Sequence, residues 1–345
     1  ITCRDWSSDV CSSDLLSLDL FGSAVCGNGS LWAVGRFSIL HAADEGSAWE
    51  RLTTNSPFTT TLTDIQLLGD TLGFAVGYNG TILRTTDGGA VWRLLHQGSI
   101  YHPDSWLSAV DFIDPLHGWA AGRTGYPPYS LIVMRTIDGG ETWNTRIFPA
   151  LPWAEDISFV DIMTGYTCGL GAILKTVDGG DTWEVQPIPI PAALSAIEFA
   201  DSYCGLAVGD GGAVLRTDDG AVWENRSADT LIVALNGLCY VNPLLAYAVG
   251  SLGALWRTVD GGLTWEDLPS PTDKDLLAIH FCDAANGTAV GADGTIITTV
   301  DGGKSWRLQS SPATLALLAV FLGAPGDGWI VGEQGTVLRR YATQK

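Results

Sequence analysis

The feature that most constrains this chain is a repeat. A short segment ending in glycine, Ala-Val-Gly or a close variant, recurs eight times, with its glycine at Gly35, Gly77, Gly122, Gly169, Gly209, Gly250, Gly291 and Gly332. The steps between copies are 42, 45, 47, 40, 41, 41 and 41 residues. A tryptophan follows in seven copies, at Trp49, Trp92, Trp143, Trp183, Trp223, Trp265 and Trp306. A repeat of this length is one supersecondary unit that cannot bury its own apolar face, so neighbouring copies must stack.

One copy reads strand by strand. Leu276–Phe281 alternates apolar and polar residues, Asp283–Gly287 is a turn, and Thr288–Gly291 is a second strand. Asp293-Gly294 turns into Thr295–Thr299, and Asp301-Gly302-Gly303 turns into Ser305–Leu308. Each boundary carries the Gly, Asp or Asn that tight turns require. Four short antiparallel strands in about forty residues make a propeller blade, here with strands A to D, and the fold class is an all-β β-propeller. Leu16–Phe21 reads as the first strand A. The last copy supplies A (Leu317–Leu322), B (Trp329–Gly332) and C (Thr336–Arg340) but no D. The total of 31 strands favours eight blades, with seven as the alternative if the first copy is degenerate. The missing strand would then lie upstream of Leu16. Residues 16–345 are read as one propeller domain. Asp5–Leu15 matches nothing else in the chain and reads as a translated short-read sequencing adapter, so residues 1–15 are treated as an artefact and the absence of a leader carries no information about compartment.

Composition excludes several functions. Eighteen basic residues against thirty-eight acidic give a net charge of −20. That argues against nucleic-acid binding, which needs a basic surface, and for repulsion from anionic membranes and attraction of basic partners. The best apolar run, Leu315 to Leu322, is far short of the roughly 18 residues of a membrane span. With Cys3 and Cys11 set aside, Cys26, Cys168, Cys204, Cys239 and Cys282 are single thiols at irregular spacing, neither a disulfide framework nor a zinc site. The five histidines lack metal-ligand spacing, and no phosphate loop or nucleophile elbow is present. No cofactor or metal is implied.

The turn between strands C and D is the most specific motif. It reads Asp87-Gly88-Gly89-Ala90-Val91-Trp92, Asp138-Gly139-Gly140-Glu141-Thr142-Trp143, Asp178-Gly179-Gly180-Asp181-Thr182-Trp183, Asp260-Gly261-Gly262-Leu263-Thr264-Trp265 and Asp301-Gly302-Gly303-Lys304-Ser305-Trp306. The fifth copy ends in Trp223 and is one residue shorter, so its aspartate is Asp218 or Asp219; the first, Asp44 to Trp49, lacks the second glycine. These turns resemble the Asp-box, or bacterial neuraminidase repeat. With the surrounding Ala-Val-Gly…Arg-Thr pattern, residues 16–345 look most like the photosystem II stability/assembly factor family. A carboxylate repeated six times is structural: it accepts backbone N–H groups across its own turn, and the tryptophan packs beside it. The resemblance implies a non-catalytic scaffold that binds a protein partner, such as a membrane-protein assembly intermediate. It implies an extracytoplasmic location: periplasmic, lumenal or secreted.

Two constellations are candidate binding residues. The enlarged steps of 45 and 47 both involve the third repeat. One insertion, before its strand A, carries Tyr101, His102 and Trp106; the other, Arg123–Ser130, carries Arg123, Tyr126 and Tyr129. In an up-and-down blade both emerge on the face opposite the Asp-boxes, where aromatics and an arginine suit partner binding; tolerated surface insertions would look the same. The second constellation is Arg84, Arg135, Lys175, Arg216, Arg257 and Arg339, all near the end of strand C and together a third of the basic residues. It reads either as a cationic ring for an acidic partner or as local partners of Asp-box carboxylates and tryptophans. The alternative class is a secreted glycan-binding protein or sialidase-like glycosidase. Arg36, Arg123 and Arg226 would be its arginines, but Arg146-Ile147-Phe148-Pro149 only imperfectly echoes that family's motif.

Overall fold

A computed structural model describes residues 19–25, 31–43, 48–52, 60–96, 105–228, 232–324 and 327–340. Among them are 31 strands in seven four-stranded antiparallel sheets and one three-stranded sheet. The fold is an eight-bladed propeller. The copy read above forms Leu276–Phe281, Gly287–Gly291, Ile296–Thr299 and Arg307–Leu308, within two residues of the expected limits. The first strand A is Leu20–Val25, and the last blade holds Leu317–Ala324, Asp327–Gly332 and Val337–Arg340. The expected strand upstream of Leu16, the segment 1–15, Cys26, Asp44–Ser47, Tyr101 and His102 lie outside the described residues.

The chain divides into two compact units: Ala24–Ile197, and Glu198–Lys345 with the stretch to Ser23. In the first, blade 2 is Leu62–Leu68, Leu72–Gly77, Ile82–Thr85 and Arg93–His96. Blade 3 is Trp106–Phe112, Gly118–Arg123, Leu131–Thr136 and Asn144–Phe148, and blade 4 is Ala154–Phe159, Gly165–Gly169, Ala172–Thr176 and Glu184–Gln186.

The motif glycine exists because of a close approach. A Cβ on Gly122 would strike the Trp106 carbonyl at the start of strand A, and one on Gly77 would strike that of Thr61. In the second unit Gly250 and Gly291 stand in the same relation to Ala234 and Asp275. Strands A and B therefore close at that end only around glycine.

The core lies between blades. In the first unit one cluster joins Phe74, Val76 and Ile82 to Leu107, Phe112 and Ile132. The next joins Trp119, Leu131 and Val133 to Ile157, Phe159 and Leu174. Within them a strand-B aromatic stacks on the strand-A phenylalanine of the following blade: Phe74 on Phe112 and Trp119 on Phe159, both with centroids 3.5 Å apart. The Asp-box tryptophan meets that phenylalanine edge-on, Trp143 at 6.0 Å and Trp183 at 5.8 Å. The second unit repeats the arrangement with Tyr247, Phe281 and Trp306. Such contacts contribute roughly 0.5–1.5 kcal/mol beyond the area they bury.

Candidate binding site

The two insertions of blade 3 converge. Arg123 ends strand B and pairs in register with Trp106, the first residue of strand A. The following loop closes on itself, since the Thr124 N–H donates to the Ser130 carbonyl (2.9 Å) and the Ser130 N–H to the Thr124 hydroxyl (2.9 Å). This holds the Arg123 guanidinium 4.6 Å from the Trp106 ring and 4.4 Å from the Tyr129 ring. Two aromatic faces on one guanidinium fix its plane, at roughly 0.5–2 kcal/mol each. Tyr129 is 36% exposed and Tyr126, on the same loop, 63%. Trp106, Arg123 and Tyr129 are thus brought together as expected, at the strand ends opposite the Asp-boxes; Tyr126 adds an exposed ring beside them.

Two further residues border this cluster. Tyr78 bridges to Trp106, with ring centroids 4.2 Å apart. Burial raises its hydroxyl pKa, while the Arg123 charge opposes the shift. Glu155, from blade 4, has its carboxyl pushed up by burial and pulled down by the Trp153 hydrogen bond and by Arg123. Among the described residues, no carboxylate lies within ion-pair distance of Arg123. The signal for Tyr78 was its place directly after a motif glycine, the position that Arg123 occupies one repeat later.

The six cations at the ends of strand C are engaged between and within blades. Arg84 of blade 2 reaches Glu141 in the Asp-box of blade 3 (3.2 Å), and Arg135 of blade 3 reaches Asp181 of blade 4 (2.7 Å). Arg216 is buried; its Nε donates to the Gly261 carbonyl (2.6 Å) and its fork grips Asp218. Arg257 donates to the Gly302 carbonyl (3.0 Å) and to Glu266 (2.6 Å). Lys175 lies over Tyr166 and Arg339 over Trp329. Strand-B aromatics join in: the Trp119 indole donates to the Gly179 carbonyl and the Tyr247 hydroxyl to that of Gly302, both at 2.8 Å. Each Asp-box so contacted is a socket for the preceding blade.

The box itself is built as the sequence suggests. In blade 3, Asp138 Oδ1 accepts the Thr136 hydroxyl (2.8 Å) and the Thr142 N–H (2.9 Å), and Oδ2 accepts the Thr142 hydroxyl (2.6 Å). The Gly140 N–H donates to the Thr136 hydroxyl, with Gly140 at φ +89°. The same hydrogen bonds hold the Asp178 and Asp301 carboxyls at about 2. In the shortened fifth box Asp219 accepts the Ala221 and Val222 N–H groups. That resolves the ambiguity: Asp219 is the box aspartate and Asp218 is the partner of Arg216.

A third constellation was not anticipated. Neighbouring A strands belong to different sheets, and polar side chains staple them. Val110 donates its N–H to Asp64 (2.9 Å), Phe159 to Asp111 (2.7 Å) and Ile197 to Asp156 (2.9 Å). In the second unit Tyr240 donates to Glu198 (3.0 Å) and Leu322 to His280 Nδ1 (3.2 Å). Burial raises the Asp64 and Asp111 carboxyls and pushes Asp156 to about 7, with the other two charges adding to the rise. The arginines of the glycosidase alternative each have neighbours of their own: Arg36 lies over Phe37, and Arg226 pairs with Glu224.

The family described as photosynthesis system II assembly factor YCF48 matches residues 53–147, 148–268 and 264–342. The chain belongs to this family. A photosystem II assembly lipoprotein Ycf48 of Synechococcus sp. (strain CC9902) is 36% identical over 88 residues, 25% of this chain; the match spans only 23% of that relative. Among solved structures, a YCF48 bound to a D1 peptide has a TM-score of 0.63 at 22% identity, over 84% of this chain and 94% of its own. YCF48 from Cyanidioschyzon merolae has a TM-score of 0.64 at 16% identity, over 98% and 99%. At those identities the two structures support the YCF48 fold.

Proposed function

We propose that this YCF48-family propeller is a non-catalytic, extracytoplasmic scaffold, with residues 16–345 acting as one domain. It binds an extramembrane segment of a membrane-protein assembly partner through the inserted loops of blade 3. The carrying observation is the Arg123 guanidinium held between Trp106 and Tyr129, with no carboxylate among the described residues at ion-pair distance from it. Rigid aromatic area around an arginine is the composition that dominates protein-binding energy, and its fixed rotamer lowers the entropic cost of docking. Membership in an assembly-factor family, and the solved relative described as bound to a D1 peptide, support a membrane-protein partner. The relative described as a lipoprotein supports placement outside the cytoplasm.

The test is a pull-down from detergent-solubilised membranes with the full chain and a Tyr101→Ala/Trp106→Ala/Arg123→Ala variant of matched thermal stability. A membrane protein retained by the wild type and lost by the variant is the expected result. Equal retention by both would move the site off the inserted loops, and retention by neither would remove the scaffold reading.

A further inference from the structure

The Asp-box edge of the first unit carries a row of exposed apolar side chains. In blade 3 they are Leu116 (54% exposed) and Ile137 (58%); in blade 4, Ile162 (42%), Met163 (46%) and Val177 (64%). Their turns are tied together. The Gly139 N–H donates to the Leu116 carbonyl (2.9 Å) and the Gly179 N–H to that of Met163 (2.7 Å). The two blades meet at the same edge through the Trp119 indole on Gly179 and through Arg135 on Asp181. Ile137 and Val177 each directly precede the box aspartate, a position that blade 2 fills with Thr86. The box of blade 2 still closes, with Asp87 accepting the Thr85 hydroxyl (2.8 Å). A polar residue therefore also fits the turn; the apolar choice recurs at Val259 and Val300 in the second unit, and in blades 3 and 4 it adjoins Leu116, Ile162 and Met163 to make an apolar patch.

The charges around these side chains say what fits them. Asp114 and Asp161 cap the turns that present Leu116 and Met163, accepting their N–H groups at 2.8 and 2.7 Å. Asp138 and Asp178 adjoin Ile137 and Val177 and are held ionised by the Thr142 and Thr182 hydroxyls. The nearby cations are already engaged: Arg84 and Arg93 share Glu141, Arg135 takes Asp181, and Arg146 donates to the Asp181 carbonyl. Among the described residues no lysine or arginine pairs with Asp138, Asp161 or Asp178. The surface is apolar at its points and negative between them.

We propose that the Asp-box edge of blades 3 and 4 is a second docking surface, and that its occupant is a cationic amphipathic segment of a partner protein. Aliphatic side chains of such a segment would cover Leu116, Ile137, Met163 and Val177, and its lysines or arginines would meet Asp138, Asp161 and Asp178. An anionic bilayer, equally apolar beneath its surface, would be repelled by the same carboxylates. The surface lies at the opposite strand ends from the Arg123 cluster, so the two are separable.

The experiment uses the full chain and a fluorescent 16-residue Lys/Leu amphipathic peptide, read by anisotropy. Its controls are a scrambled peptide of identical composition and vesicles of anionic phosphatidylglycerol. The variant is Ile137→Thr/Val177→Thr, because threonine already stands at the equivalent place in blade 2. Expected are micromolar, salt-sensitive binding of the amphipathic peptide, about tenfold weakening in the variant from lost apolar contact, and no change in Trp106→Ala. A second variant, Asp161→Asn, keeps the turn acceptor and should weaken binding and flatten its salt dependence. Absence of binding, equal binding of the scrambled peptide, preference for the vesicles, or full affinity in both surface variants would each overturn the proposal. Loss of binding in Trp106→Ala would overturn it too, by moving the peptide to the loop cluster.

Discussion

At the scale of single residues, the same side-chain type does different work according to what faces it. Arg123 and Arg216 both lie at or next to the end of a strand of their blade, yet one is held between two aromatic rings and the other is buried against Asp218 and the Gly261 carbonyl. The sequence placed Arg216 in a ring of six similar cations but could not say whether the ring was a patch or mortar, because that depends on the facing turn of the next blade. Its structural role carries a prediction. Arg216→Ala leaves a buried carbonyl without its donor and should lower unfolding free energy by about 2–3 kcal/mol. Arg216→Lys should recover little of this, since one ammonium cannot reproduce the fork. Arg135→Ala, whose partner Asp181 is 60% exposed, should cost only about 0.5–1 kcal/mol. Urea denaturation of the three variants checks the order; an undiminished midpoint for Arg216→Ala would return that residue to the binding-patch reading.

At the scale of elements, legibility followed hydrophobic alternation. Strand A was legible in Leu276–Phe281 by its alternation, and the same alternation in blade 4 buries Ile157 and Phe159. For the alternate positions, Asp156 among them, alternation by itself predicts only polar residues turned away from the core. They are instead the staples between A strands, and nothing local distinguishes a carboxylate facing water from one accepting a neighbour's N–H. The two kinds of aspartate should respond oppositely to acid. The Asp178 and Asp301 boxes, held at about 2, contribute stability that is complete above the unfolded value near 4 and lost as pH falls from there through about 2. Asp156, raised to about 7, does the reverse: the folded state takes up the proton first, so stability rises as pH falls from above 7 toward about 4. Asp156→Asn keeps an acceptor for the Ile197 N–H without the charge. It should therefore stabilise the protein at pH 8 and lose that advantage progressively as pH falls through 7 toward 4, as denaturation midpoints at pH 8 and pH 4 would show. An advantage of equal size at both would mean that the carboxyl titrates normally.

At the scale of the whole molecule, the period of about 41 residues determined the blade count, and the expected 31 strands agree with those among the described residues. What the period could not carry is how the surplus of charge is distributed. Thirty-eight acidic residues against eighteen basic leave −20, and many of the cations are committed to the blade sockets described above. The surplus is therefore carried by carboxylates in the turns and at the A-strand staples, whose mutual repulsion opposes the compact state. Added salt acts on both sets. It weakens the partly exposed Arg84, Arg93 and Arg257 pairs a little, but it screens many more repulsions that extend over 10 Å or more, as the Debye length shrinks from ~30 Å at 0.01 M to ~8 Å at 0.15 M. Repulsion should dominate, so the melting temperature should rise by a few degrees over that range in sodium chloride, most of the gain coming below 0.1 M. A melting temperature that fell instead would mean that the ion pairs linking neighbouring blades outweigh the net charge, and Arg84→Ala would then be expected to abolish part of that fall.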